Sequence, residues 1–273
     1  MRPDLLIVIN GALKERLGNI ISVETIENYV DQVLDTFESQ NLFAATLLEP
    51  DFDPQDVLRE MRVFASSASL FGAEFAGGVT APPEIRSRLV ASAEATADFA
   101  SASLQTQIRN GVRANLFNVL TDLDARIRVG EAEFSRVQLR PQLVADAQRI
   151  TDQRIAVVAE LQTTRLSAAG GLTNLQLQGA VWYVWNAVLL DSCPVCTHLH
   201  GRRFLVEDSL TRINNALRAE SDQDLIDTQP FPNQSMEGLA RFLALSDADI
   251  QAAGFAVPPA HPYCRCLIDR FTE

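Results

Sequence analysis

The residues best suited to chemistry in this chain are cysteines and histidines near its C-terminal end. All four cysteines and all three histidines lie between Cys193 and Cys266. They form two groups, Cys193-Pro194-Val195-Cys196-Thr197-His198-Leu199-His200 and His261-Pro262-Tyr263-Cys264-Arg265-Cys266. Thiolates and imidazoles are common ligands of Zn²⁺ in proteins. Two such groups, far apart in sequence, therefore indicate one tetrahedral zinc site to which both contribute.

Five candidate ligands compete for the four places around one ion. They are Cys193, Cys196, His261, Cys264 and Cys266. The first three cysteines are preferred, with either His261 or Cys266 as the fourth ligand. His198 and His200 are interpreted as solvated or hydrogen-bonded side chains on the following turn. Two alternatives stay open, namely disulfide bonds among the four cysteines and free buried thiols.

The sequence favours a structural metal site over a catalytic one. A catalytic zinc keeps an open coordination position and usually has a carboxylate base beside it. The chain has no H-E-x-x-H or H-x-E…C-x-x-C arrangement, no glycine-rich phosphate loop and no G-x-S-x-G motif. Asp191 and Glu207 are close to the site in sequence, but we interpret both as surface carboxylates. We therefore predict a structural zinc and no catalytic residue.

Composition and charge narrow the classes of function. Apolar residues make up 47% of the 273 residues, which is enough to bury a core, and the formal net charge is −12. A chain this acidic is unsuited to broad electrostatic binding of nucleic acid or anionic membranes. We therefore expect no direct sequence-specific nucleic-acid binding.

No membrane anchor or targeting signal is expected from the apolar runs. The run Leu5–Ile9 is too short for a signal peptide. The run Val181–Leu190 is interrupted by Asn186 and has about half the length needed to span a bilayer. The sequence predicts a soluble protein made in a cytoplasm.

Residues 1–78 have the pattern of amphipathic helices. Ser22 is a good N-cap, and the apolar residues that follow recur at three- and four-residue steps, at Val23, Ile26, Val30, Val33, Leu34 and Phe37. Asp53 and Pro54 offer a cap followed by proline at the first helical position. The clearest break in the N-terminal part begins at Gly77-Gly78 and ends at the proline pair Pro82-Pro83.

Two longer helices are predicted within residues 84–170. The first runs from Glu84 to about Asn115 and is rich in alanine and serine, so that it can approach a neighbour closely. The second follows Pro141 and ends at the glycine pair Gly170-Gly171. We interpret their apolar stripes first as ordinary core packing. Their length also suits an extended protein that lies against a larger partner.

After Gly171 the sequence changes to short β-branched and aromatic segments, which indicate strands. We predict a strand at Val181–Trp185 with 188–190, a partner at Phe204–Val206, a helix over 209–220, a polar loop over 221–235, a short helix at Met236–Leu245 and a closing strand at Leu267–Phe271. The predicted fold is mainly α. An elongated helical N-terminal region is followed by a small α+β C-terminal module with a zinc knuckle. The predicted domains are residues 1–78, 84–170 and 172–273, and we call the last the C-terminal module.

The motif residues resemble those of a known family, the phage head morphogenesis or minor capsid proteins similar to the F protein of phage Mu. The family pattern is a tryptophan-bearing strand, aspartate, C-x-x-C, leucine and glycine before a hydrophobic strand, then prolines and H-P-x-C-R-C. This sequence has the pattern at Trp185, Asp191, Cys193, Cys196, Leu199, Gly201, Phe204, Pro258-Pro259 and His261 to Cys266. It departs from the pattern at His200, where the family often has Asp or Asn. The insert between the two halves of the motif is also longer than in many members of the family. The resemblance covers residues from about 180 to 273.

This resemblance implies a protein of the virion, placed in the phage head interior or at the portal vertex. Its implied partner is the portal protein, with the major capsid protein as a second candidate, and its implied role is head assembly or DNA delivery. Residues 84–170 are the candidate portal-facing region, because their alanine and serine face permits close approach. The alternative, from a different class, is a zinc-dependent hydrolase or nuclease packaged in the particle as an effector.

Overall fold

The computed structural model describes residues 4–40, 42–50, 53–78, 80–187 and 192–271. Its helices are α1 (Asp4–Ile20), α2 (Val23–Ser39), α3 (Leu42–Thr46), α4 (Pro54–Gly77), α5 (Pro83–Arg128), α6 (Arg136–Leu177), α7 (Pro194–Leu199), α8 (Val206–Leu217), α9 (Asp222–Thr228), α10 (Met236–Leu243) and α11 (Asp247–Ala252). Its strands are β1 (Trp182–Asn186), β2 (Arg203–Leu205) and β3 (Leu267–Arg270). Helices account for 72% of the structure, and the sheet and the Cys/His residues lie near the C-terminus, which confirms the predicted fold class. Among the described residues, no helix is both long and apolar enough to cross a bilayer.

The chain forms two compact units. Unit 1 comprises Met1–Leu13, Arg59–Ala100 and Val157–Glu273, and unit 2 comprises Lys14–Leu58 and Ser101–Ala156. Each unit therefore combines segments that are distant in sequence. The Cys/His residues all belong to unit 1.

Unit 2 is built from helical segments with buried aliphatic side chains. Val30, Leu34 and Leu143 are completely buried, and the predicted N-cap Ser22 accepts the Thr25 N–H at 3.2 Å. An ion-pair network joins α2 to α6 at the surface. In it, Arg140 contacts Asp31 and Glu27, and Arg136 contacts Asp31 and Asp35.

The long helices extend further than the sequence predicted. Helix α5 continues past Asn115 to Arg128, and α6 begins before Pro141 and passes through the glycine pair to Leu177. The glycines serve packing inside unit 1, since a Cβ on Gly170 would lie 1.9 Å from the Ser69 carbonyl oxygen. A Cβ on Gly72 would lie 1.8 Å from the carbonyl oxygen of Ser167. Glycine here permits close contact between α4 and α6, and it does not end the helix.

The sheet in the C-terminal module has the strand order β2-β1-β3, and both pairings are antiparallel. Tyr183 pairs with Phe204 and Trp185 with Ile268, so the predicted partner strand is confirmed at Phe204 and Leu205 and the closing strand at Leu267–Arg270. Val206, predicted in the partner strand, begins α8 instead. Tyr183, Trp185 and Phe204 are completely buried, and Leu172 of α6 belongs to the same core. Residues 188–190, predicted as part of a strand, lie outside the described residues.

Candidate metal centre

Helix α7 positions the first pair of cysteines. Cys193 is the N-cap of this short helix and Pro194 is its first residue, where a fixed φ suits the helical conformation. The Sγ atom of Cys193 accepts a hydrogen bond from the Cys196 backbone N–H at 3.4 Å. One helical turn therefore directs both sulfurs to the same side.

A tight loop before β3 positions the second group. The Cys264 N–H donates to the His261 carbonyl oxygen at 3.1 Å, and Tyr263 between them has a φ of +65°. This φ is uncommon for a residue other than glycine, so the surrounding contacts must hold the loop in place. Thr164 of α6 contributes one such contact, because its hydroxyl donates to the Cys264 carbonyl oxygen at 2.6 Å.

A buried polar network supports the segment that precedes this loop. The Nε atom of Arg165 donates to Gln229 Oε1 at 2.7 Å, and Gln229 Nε2 donates to the carbonyl oxygens of Val257 and Pro258. Burial lowers the pKa of Arg165 to about 10, so the guanidinium stays charged at neutral pH. Sequence reasoning missed this network, because Gln229 falls in the predicted polar loop over 221–235 and no spacing in the sequence links it to Arg165.

The structure brings all five predicted ligand residues together. We call Cys193, Cys196, His261, Cys264 and Cys266 the Cys/His cluster. It consists of two overlapping triads, Cys193–Cys196–His261 and Cys196–Cys264–Cys266, and within each triad the ligand atoms lie within 4.8 Å of one another. Cys196 belongs to both triads. The cluster could therefore hold a metal ion, with Cys196 as the ligand that both groups share.

The distances agree with a site for one ion. The Sγ atoms of Cys196 and Cys264 are 3.9 Å apart, and the edge of a tetrahedral zinc–thiolate site is about 3.8 Å. This distance is far above the S–S bond length of about 2.05 Å, and all four cysteines are free. The Nε2 atom of His261 lies 3.2 Å from Cys193 Sγ and 3.0 Å from Cys196 Sγ, as in hydrogen bonds with the thiols.

The His261 ring is oriented as expected for a metal ligand. Its Nδ1–H donates to the Pro262 carbonyl oxygen, and its Nε2 atom faces the sulfurs of Cys193 and Cys196. A backbone partner on one ring nitrogen fixes the tautomer and leaves the lone pair on the other, as is usual for histidines that bind metals. This orientation supports His261 as a ligand.

The surroundings of Cys264 lower the pKa of its thiol. Burial raises the pKa of Cys264, but hydrogen bonds from Cys196, Cys266 and two backbone amides outweigh burial and hold that pKa well below its usual value. The hydrogen bond with Cys264 raises the pKa of Cys196 in turn. Thiols must lose their protons to bind a metal, so a lowered pKa at Cys264 suits that chemistry.

The other described residues that were considered from sequence lie outside both triads. His200 Nδ1 accepts the Ala187 N–H at 3.2 Å, and His198 is half-buried with its ring edge against Phe242. Glu207 is exposed in the first turn of α8, as expected for a surface carboxylate. Asp191 lies outside the described residues.

No protein-family model, curated protein or solved structure matches this chain. The resemblance to the phage minor capsid family therefore rests on the motif residues alone.

Proposed function

We propose that this chain is a structural minor head protein of a tailed phage or phage-like particle. In this proposal it docks on the portal and acts in head assembly or DNA delivery. One observation carries the proposal, namely that the two halves of the resembling motif, which are far apart in sequence, converge in one Cys/His cluster. The tryptophan-bearing strand of the motif belongs to the same core.

We propose Zn²⁺ as the ion of this cluster, in a structural role. Three buried thiols, one half-buried thiol and a half-buried imidazole form a soft donor set that suits zinc better than Mg²⁺ or Ca²⁺. More than three protein ligands are available, so the ion would be enclosed, as in structural sites. The residues would then hold the loops of the C-terminal module together, and the protein would act by binding without catalysing a reaction.

The proposed contact with the portal involves the long helices of residues 84–170. In unit 2, Phe117 of α5 is 43% exposed and Phe43 of α3 is 72% exposed, and both line a groove of about 650 Å³. Exposed aromatic side chains that line a common groove are a frequent feature of protein interaction sites. We propose this surface as one point of contact.

Co-purification with the portal protein of the same particle tests the proposal. Both proteins are co-expressed, and the tagged portal is isolated with wild-type chain, with Phe117→Ser or with the control Asn118→Ser. Asn118 is the next residue of α5 and is also exposed, so its change leaves the groove intact. We expect Phe117→Ser to reduce the recovered chain and Asn118→Ser to leave it unchanged. Failure of the wild-type chain to associate with the portal or with virions would overturn the proposed function.

A further inference from the structure

A second candidate site lies in the C-terminal module, in a groove of about 1110 Å³ that none of the Cys/His cluster residues line. Its walls come from β1, β2, α8, α9 and α11. We call it the acidic groove, because four carboxylates and only two guanidinium groups line it, those of Glu207, Asp208, Asp227, Asp247, Arg203 and Arg212. The excess of negative charge favours a cationic occupant.

Several backbone groups in the wall of this groove are already engaged. The side chain of Gln251 pairs with Leu205 at both polar atoms, since Oε1 accepts the Leu205 N–H at 2.8 Å and Nε2 donates to its carbonyl oxygen at 3.2 Å. Arg212 donates to the carbonyl oxygens of Thr228 and Ala252. An occupant would therefore be recognised by side chains rather than by addition of a strand to β2.

Three other charged side chains that line the groove already have partners. Arg203 lies over the Phe271 ring at 4.7 Å. Asp247 pairs with Arg202 at 2.7 Å, and Asp227 accepts a hydrogen bond from Gln223.

Two carboxylates and one aromatic ring are left available to an occupant. Glu207 and Asp208 are exposed and have no side-chain partner within the described parts of the chain. Trp182, also in the lining, is 42% exposed. An indole ring and two carboxylates that line one groove can recognise guanidinium or ammonium groups, through cation–π contact and charge-assisted hydrogen bonds.

We propose that the acidic groove binds an arginine-rich or lysine-rich peptide segment of a partner protein. The carboxylates of Glu207 and Asp208 pair with its cationic side chains, and the indole of Trp182 packs against one of them. The volume exceeds what a single side chain fills, so the occupant is a segment of several residues. This inference does not depend on the portal contact.

Binding of a fluorescein-labelled peptide of alternating glycine and arginine to the full-length protein tests the inference. The matched peptide carries glutamate in place of arginine. The site variant is Glu207→Gln/Asp208→Asn, which keeps the side-chain shapes and removes two charges. The control is Glu84→Gln/Glu94→Gln, which removes the same charge from exposed positions of α5, one of them also in a first helical turn. This control separates site binding from attraction to the net charge of the chain.

We expect the arginine peptide to bind, the glutamate peptide not to bind, and the site variant to lose affinity by about tenfold. Trp182→Leu should lose about threefold, because it removes only the cation–π contact. The control should stay within about twofold of wild type, a change expected from long-range charge alone. Equal loss in the site variant and the control, or no binding to wild type, would overturn the inference. Circular dichroism of each variant checks that the fold is retained.

Discussion

In unit 2, helical segments bury aliphatic side chains such as Ile108, Leu116 and Leu143. In the C-terminal module, three short strands and several short helices contribute to a core that includes Tyr183, Trp185 and Phe204, and three cysteines of the Cys/His cluster belong to this core. Buried apolar area stabilises the first region by itself. In the second, the thiols of Cys196, Cys264 and Cys266 lie inside the core itself. We therefore expect a bound ion to matter for the C-terminal module and not for unit 2.

Removal of the metal should have the largest effect on stability, and it should affect the two regions differently. Structural zinc binding contributes about 10–16 kcal/mol in small zinc-dependent folds, where it is coupled to folding. We expect a chelator to abolish amide-exchange protection in the C-terminal module and to leave unit 2 protected. Hydrogen-exchange mass spectrometry with and without chelator measures both. Unchanged protection of the module would show that its folding does not require a metal.

Substitution of the shared ligand Cys196 should have the second largest effect. Cys196 belongs to both triads, so Cys196→Ser should lose the bound metal and expose the module to limited proteolysis. His261→Gln and Cys266→Ser each alter a single triad and should weaken metal binding less, and the larger loss of the two identifies the fourth ligand. His200→Gln, outside both triads, is the control. Full metal content in Cys196→Ser would exclude the shared-ligand arrangement.

The close contact between α4 and α6 in unit 1 can be tested without a change in the metal site. Gly170→Ala should lower the free energy of unfolding by about 1–3 kcal/mol, because the new Cβ would overlap the Ser69 carbonyl oxygen. Gly11→Ala in α1 meets no atom within 4 Å and should instead stabilise the helix by up to about 1 kcal/mol. Denaturant titration of the metal-loaded protein measures both. Equal effects would mean that α4 and α6 do not approach so closely.

The smallest expected effect concerns the ion pairs of unit 2. The hydrogen bond with Arg140 is the main cause that lowers the pKa of Asp31 from 3.8 to about 2. A carboxyl with a depressed folded pKa stabilises the fold above pH 3.8, and this contribution is lost as the pH falls towards about 2. Solvent screening limits it to below about 1 kcal/mol.

Asp31→Asn should therefore cost little at neutral pH and should flatten the decline in stability between pH 3.8 and about 2. Thermal unfolding followed by circular dichroism in the presence of chelator measures this without a contribution from the metal. If stability declined with falling pH in the same way in wild type and variant, the Asp31–Arg140 pair would not stabilise unit 2.

The sequence was sufficient to predict the Cys/His cluster and most helices and strands. Cysteine and histidine are scarce in this chain, so two dense groups of them predicted a common site. Apolar periodicity after the N-cap Ser22 predicted α2, and alternating aromatic residues predicted β1. Each of these signals comes from residues that are close together in the sequence, and the structure contains each predicted feature.

Other features depend on contacts that one sequence does not reveal. The glycine pair predicted a helix end, but Gly170 lies inside α6 because α4 packs against it there. Helices α9 and α11 were missed although Ser221 and Ser246 cap them, because both are too short for clear apolar periodicity. The acidic groove brings Trp182, Glu207 and Asp247 together from separate elements, so no spacing in the sequence marks it.

Elemental analysis tests the metal assignment most directly. The full-length protein is purified under reducing conditions without chelator, and its metal content is measured together with the protein concentration. We expect about one zinc ion per chain, bound by four of the five residues of the Cys/His cluster. A chain that folds normally with no bound zinc and with its cysteines free or paired in disulfides would contradict the proposed metal centre.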